Sequence, residues 1–256
     1  MTSLFPRMGK GLSAVIGLFL FLGGTAVLLA PSQEMCDGFA MFGYPQSALP
    51  WIGGIEALCA TLYLIPRTSV LGALLLTGYL GGATATHVRM GDPLFVVAPL
   101  VGILTWLGLY LRDERVKTLI PFLQPATAGA GWGSRIASGL PLLFLIVDGV
   151  GKLIKPAQVV DATVQLGYPE WVILPLGVVL LLCVAVHAFP RTAVIGLILL
   201  TGYLGGAVAT QVRMLGPAFN IVFPIILAVL LWGGLWLREP RLREIIPLNR
   251  RQDVVP

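Results

Sequence analysis

The sequence predicts an all-α integral membrane protein with eight transmembrane helices, arranged as two parallel four-helix repeats. Three observations carry that prediction. Apolar residues make up 57% of the chain and charged residues 11%, against roughly 25% charged in an average soluble domain, and the mean hydropathy is +0.89. Apolar runs of about 18 residues or more recur, each long enough to cross a hydrocarbon core of about 30 Å as a helix. Finally, Pro66 to Met90 returns without gaps as Pro190 to Met214, differing only at Ser69/Ala193, Leu71/Ile195, Ala73/Leu197, Leu74/Ile198, Thr84/Val208 and His87/Gln211.

Taken in order, the first run spans Gly11 to Ala30, between Lys10 and Pro31. With Arg7 and Lys10 before it, it has the make-up of a signal peptide. Ala30 before Pro31 is a poor cleavage site, however, and the run holds the place in the first half that Ser134 to Ile154 holds in the second, so it is expected to be a retained span. Ser47 to Ile65 follows and stops at Pro66; Thr68 to Val88 stops at Arg89; Leu94 to Leu111 stops at Arg112. The second half repeats the series as Ser134 to Ile154, Trp171 to Phe189, Thr192 to Val212 and Ala218 to Leu237.

Orientation follows from the 17 lysines and arginines, because cytoplasmic loops are enriched in them. With the N-terminus inside, Arg7, Lys10, Arg67, Arg112, Arg115, Lys117, Arg135, Arg191, Arg238, Arg241, Arg243, Arg250 and Arg251 fall in the cytoplasm, leaving Arg89, Lys152, Lys155 and Arg213 outside. Both termini are therefore expected to be cytoplasmic, and the acidic, lysine-free loop from Pro31 to Gln46 to face outward. The net charge of +5 is a topology signal and calls for no nucleic acid. "RDERVK" and "REPRLRE" read as orientation anchors that could also dock a soluble partner.

The repeat extends backwards through Cys59 with Cys183 and "GYP" at Gly43 with "GYP" at Gly167, and forwards through "LYLR" and "LWLR" to Pro121 and Pro247. The Gly-, Ala- and Pro-rich "QPATAGAGWG" reads as a linker, dividing the chain into a first repeat, 1–123, a linker, 124–133, and a second repeat, 134–256. Four spans per half is an even number, so both halves sit the same way up, as parallel repeats about an axis along the membrane normal.

On these residues, "YLIPRTSVLGALLLTGYLGGATATHVRMGDPLF" in the first half and "DGVGKLIKP" with "LGYP" in the second, the chain resembles the DoxX-like family of small bacterial membrane proteins. Members are usually one four-helix unit, so the chain resembles two fused units. The resemblance implies a bacterial cytoplasmic (inner) membrane protein. It also implies an accessory subunit that interacts with a quinone and works with a soluble or membrane redox partner, since relatives range from a subunit associated with thiosulfate:quinone oxidoreductase to assembly factors. Two other functions stay open: a small-molecule transporter, suggested by the parallel repeats and Glu56, and a scaffold without chemistry. Whether the chain is an enzyme is left open too.

Ionisable groups at the centre of a membrane helix cost at least ~2.5 kcal/mol, so each needs a reason. Asp148 and Lys152 lie four apart on the fifth span, acid first, the favourable order for a pair; a salt bridge and a substrate contact are both open. Glu56 lies about halfway along the second span among glycines and apolar residues, where a carboxylic acid can donate to a carbonyl, carry a proton, or only join two helices. His87, at the outer end of the third span, is a proton acceptor near neutral pH. Arg89 follows Gly78, Gly82 and Ala85 on one helix face, about 160° around from His87. That face suits close helix packing, as does Gly202 with Gly206 in the second half, and Arg89 and Arg213 would snorkel to headgroups or cap the packing.

Aligned by the shared motifs, Asp148 and Lys152 pair with Gly24 and Leu28, while Glu56 and His87 pair with Leu180 and Gln211. Glu56, His87, Asp148 and Lys152 are thus expected to form one composite polar site divided between the halves, the alternative being decay of one site in each copy. Cys59 and Cys183 read as small packing residues. His87 and His187 fall near opposite ends of their spans, which sets aside a haem held by both. No run has metal-ligand spacing, a nucleotide-binding loop or a nucleophile triad, so no metal or motif-bound cofactor is expected, and the quinone rests on the resemblance.

Overall fold

The computed structural model describes residues 4–120 and 131–246. Most of the expected linker, Arg250 and Arg251, and the correspondence of Pro121 with Pro247 lie outside the described residues.

Among the described residues, eight helices are long and apolar enough to cross a membrane. In the first half these are α1 (Leu4–Leu29), α3 (Leu49–Leu64, entered through a 3₁₀ turn Gln46–Ala48), α4 (Ser69–Met90) and α5 (Val97–Arg112, entered through a turn Pro93–Val96). Between them sit a short α2 (Gln33–Met41) after α1 and a short α6 (Glu114–Leu119) after α5. The second half repeats the series with α7 (Trp132–Ile154), α8 (Ala157–Gln165), α9 (Ile173–Ala188, entered through a turn Glu170–Val172), α10 (Ala193–Arg213), α11 (Ala218–Arg238) and α12 (Pro240–Arg243). Helix suits a chain that crosses lipid, because each helix satisfies its backbone N–H and C=O groups within its own segment.

In each half the four long helices close a ring: α1 packs on α3 and α5, α4 packs on α3 and α5, and α7, α9, α10 and α11 repeat the arrangement. The ends near Leu4, Ile65, Arg112, Trp132, Phe189 and Arg238 form one face of the molecule, the terminal face; the opposite ends form the distal face. Lipid-facing positions carry exposed Phe19, Leu22, Leu58, Leu140, Leu143 and Val229, as expected where lipid replaces water.

Buried polar contacts pin the terminal half of each ring. In the first, the Tyr63 hydroxyl bridges Ser13 Oγ and the Thr105 carbonyl at 2.9 Å each, and Arg112 lies over the Tyr63 ring, 5.4 Å from its centroid. In the second, His187 takes the place of Tyr63: its Nδ1 lies 2.8 Å from the Ala193 carbonyl oxygen, and it is buried.

The halves meet along α4 and α10, the two most buried spans. A carbon placed on Gly81 would lie 1.9 Å from the Gly202 carbonyl oxygen, and one on Gly205 would lie 2.0 Å from that of Gly78. Gly82 faces the Ala209 methyl and Gly206 faces the Ala85 methyl. Each contact has its reciprocal, which is the mark of a two-fold relation. Because α4 and α10 run in the same direction, that axis lies along the helices, the parallel arrangement expected from the sequence. Trp106 Nε1 donates to Thr77 Oγ1 at 2.9 Å and Trp232 Nε1 to Thr201 Oγ1 at 3.0 Å, bracing the two seam helices in the same way.

Candidate functional site

Glu56 sits on the face of α3 that meets α1 and α4. Tyr79 of α4 donates to its Oε2 at 2.8 Å. Room for the carboxylate comes from α1, where Gly23 and Gly24 stand side by side. A carbon on Gly24 would lie 2.9 Å from Glu56 Cβ, and one on Gly23 would lie 3.8 Å from Glu56 Oε1. Glu56 and Tyr79 are both half-buried.

In the second half, Lys152 Nζ donates to Asp148 Oδ1, the i, i+4 pair expected on one helix face. Lys155, at the end of α7, lies 3.9 Å from Glu170.

The register of α7 against α1 differs by one residue from the motif-based pairing. A carbon on Gly53 would strike the Gly24 carbonyl oxygen and Val27 Cβ, while one on Gly177, its counterpart, would strike the Gly149 carbonyl oxygen and Lys152 Cβ. In the same way Gly108 faces Ser13 and Gly234 faces Ser138. Asp148 therefore corresponds to Gly23 and Lys152 to Val27, not to Gly24 and Leu28. The reason is the connection to the next short helix: Ala30, Pro31 and Ser32 separate α1 from α2, whereas only Lys155 and Pro156 separate α7 from α8.

This register changes what the two halves have in common. Asp148 occupies the place of Gly23, the residue that faces the Glu56 carboxylate, while Leu180 occupies the place of Glu56 and is fully buried. Each ring keeps one acid in the same neighbourhood, delivered by the second span in one half and by the first span in the other. The aromatic position is shared as well, since Tyr203 is the counterpart of Tyr79.

His87 lies at the distal end of α4, with Nδ1 2.8 Å from Asp92 Oδ2 and its ring edge-on to Phe42 at 5.0 Å between centroids. The Asp92 carboxyl is held below its ordinary value, first by the Leu94 backbone N–H and then by His87. Of the four expected site residues, then, the structure brings Asp148 and Lys152 together, gives Glu56 to Tyr79 and gives His87 to Asp92. Among the described residues no hydrogen bond or ion pair joins Glu56 or His87 to Asp148 or Lys152.

Arg89 and Arg213 each donate to a backbone carbonyl of their own half. Arg89 Nη2 donates to the Phe42 carbonyl at 2.5 Å, and Arg213 Nη2 donates to that of Leu166. These carbonyls precede the two "GYP" segments, whose tyrosines are fixed one turn below: the Tyr44 hydroxyl lies 2.9 Å from Thr86 Oγ1, and the Tyr168 hydroxyl lies 2.9 Å from Thr210 Oγ1. The repeated "GYP" and "VRM" motifs thus meet in space, a function that spacing alone did not reveal. Tyr79, Tyr203 and the seam glycines Gly81 and Gly205 also escaped the sequence reading, although all four stand inside the duplicated segment. Gly78, Gly82, Gly202 and Gly206 lie on the seam beside them.

The profile of the DoxX-like family matches the chain twice, over residues 11–109 and again over 136–234. No curated protein and no solved structure matches.

Proposed function

The chain belongs to the DoxX-like family, as two fused copies of its unit, and from that premise we propose that it is a quinone-binding accessory subunit of a membrane redox system. The observation that carries this reading is that each ring keeps an acid in the neighbourhood where Glu56 meets α1, on different helices in the two halves. A residue retained by type and place, but not by position in the sequence, points to a requirement for the group itself. A quinone offers two carbonyl oxygens and an apolar body. It needs hydrogen-bond donors and a greasy, narrow seat, with no metal.

In the first ring, Tyr79 donates to Glu56 in the resting state. A carbonyl arriving beside them accepts from the protonated acid or from the phenol. In the second, Lys152 is a further donor, tethered to Asp148. The chain supplies binding and orientation, and electrons come from the partner. The bacterial inner membrane and cytoplasmic termini belong to the same proposal, supported by the charge asymmetry of the loops.

The test is purified full-length protein in non-ionic detergent with a short-chain benzoquinone analogue. Stabilisation equivalent to about 2.7 kcal/mol is expected at a hundredfold excess over Kd. Glu56→Leu, which installs the residue found at Leu180, and Tyr79→Phe are each expected to weaken binding at the first ring. Wild-type protein that neither retains a quinone nor is stabilised by one would refute the proposal.

A further inference from the structure

On the distal face, over the end of the α4–α10 seam, one arginine from each half leans toward the same point. A carbon placed on Gly167 would lie 3.3 Å from Arg213 Nη2 and 3.6 Å from Arg89 Cδ, and one on Gly43 would lie 3.6 Å from both Cδ and Nη1 of Arg213. Each arginine thus reaches across the two-fold axis, over the loop glycine of the opposite half. Both glycines have positive φ, +77° and +81°. A side chain at either would be strained by its backbone and would crowd a guanidinium.

Two like charges held this close call for a counter-charge. Among the described residues neither arginine has a carboxylate within 4.0 Å; Asp92 is paired with His87, Glu170 with Lys155 and Asp148 with Lys152. Each guanidinium spends only Nη2 on a backbone carbonyl. Arg89 Nε is buried and has no hydrogen-bond partner among the described residues, which is costly for a charged donor. Arg89 also lines a cleft of about 500 Å³ with Gly167, Tyr168 and Trp171.

We propose that Arg89 and Arg213 together bind one phosphate- or sulfate-type oxyanion on the axis between the halves. Guanidinium forks suit tetrahedral oxyanions, because their N–H groups pair with two oxygens at once. The anion satisfies Arg89 Nε, relieves the repulsion between the arginines and ties the two repeats together at their distal end. Its source is either a free anion in solution or the phosphodiester of a lipid headgroup; both present the same oxygens to the same forks.

The experiment uses the full-length protein in non-ionic detergent and two probes. Inorganic sulfate and phosphate are titrated calorimetrically against chloride of equal ionic strength. Phosphatidylglycerol is compared with diacylglycerol, which lacks the phosphate, by native mass spectrometry. One anion per chain is expected, with Arg89→Gln and Arg213→Gln each weakening it about tenfold or more and the double variant abolishing it.

Saturable binding of free anion identifies a solution ligand. Retention of phosphatidylglycerol that is lost in Arg89→Gln, with no free-anion binding, identifies a lipid phosphate. Should the glutamine variants not fold, Arg89→Lys and Arg213→Lys keep the charge and lose the fork, and each is expected to weaken binding in the same direction. Binding of neither probe by the wild type, or undiminished binding by the paired variants, overturns the proposal.

Discussion

The two-fold seam makes a prediction whose sign depends on where a glycine stands. Gly81→Ala would place a methyl carbon 1.9 Å from the Gly202 carbonyl oxygen and 2.7 Å from Gly202 Cα. The obstacle is backbone, so no side chain can swing aside, and α4 and α10 must part by roughly 1.5 Å to restore ordinary contact. Such a gap forfeits more than about half of the dispersion energy at the contact, and the loss falls near the top of the overpacking range, about 3 kcal/mol. Alanine returns about 1 kcal/mol through its better helix propensity, leaving a net loss of about 2 kcal/mol, or about 4–8 °C in Tm for a chain of this size.

Gly205→Ala should match it, since it meets the Gly78 carbonyl oxygen at 2.0 Å. Gly139→Ala in α7 and Gly233→Ala in α11 meet nothing within 4 Å; they should raise Tm by about 2–4 °C through propensity alone. Thermal unfolding in one detergent, followed by tryptophan fluorescence, reads all four variants. If Gly81→Ala and Gly139→Ala shift Tm in the same direction by similar amounts, the backbone-to-backbone seam is refuted.

Two further outcomes follow from the polar contacts. Tyr63→Phe leaves the Ser13 hydroxyl and the Thr105 carbonyl without their buried partner and should cost about 1–2 kcal/mol, measured by denaturation in mixed micelles. Tyr168 lies outside the spans, and burial pushes its phenol up by more than the Thr210 hydrogen bond and the nearby arginines pull it down. A raised folded pKa means that its contribution to stability is complete below about pH 10 and is lost as the pH climbs through the folded value. The alkaline limb of a Tm-against-pH curve should therefore flatten in Tyr168→Phe.

The spans were legible because lipid imposes one simple condition, a long apolar run, and seven of the eight expected runs begin within two residues of the observed helices. The exception is α1, which begins at Leu4 and not at Gly11: Arg7 and Lys10 interrupt the apolar pattern, yet their long stems let charges reach water from a helix end. The helices α2 and α8 were hidden, being short and polar and lying in what read as loops.

At the candidate site, residue types were legible and relations were not. Alignment on "GYP" and "VRM" carried one offset through a connection that differs by a residue, so Asp148 was matched with the wrong glycine and the acids looked like halves of one site. Only packing, with Gly53 and Gly177 acting as rulers on α1 and α7, put Asp148 at the counterpart of Gly23, the residue that faces the Glu56 carboxylate. The arginines were read as separate anchors, because nothing in either copy alone indicates that Arg89 and Arg213 share an axis.

The reciprocal glycine contacts describe what an unfused four-helix unit would do with the same face: pair with a second copy of itself. Carrying both copies on one polypeptide replaces that encounter with a local one at high effective concentration and fixes the stoichiometry at synthesis. Assembly then no longer depends on expression level, and the two protomer-like halves are released from identity everywhere but along their shared contact. That is where they have stayed most alike, while the carboxylates changed helix.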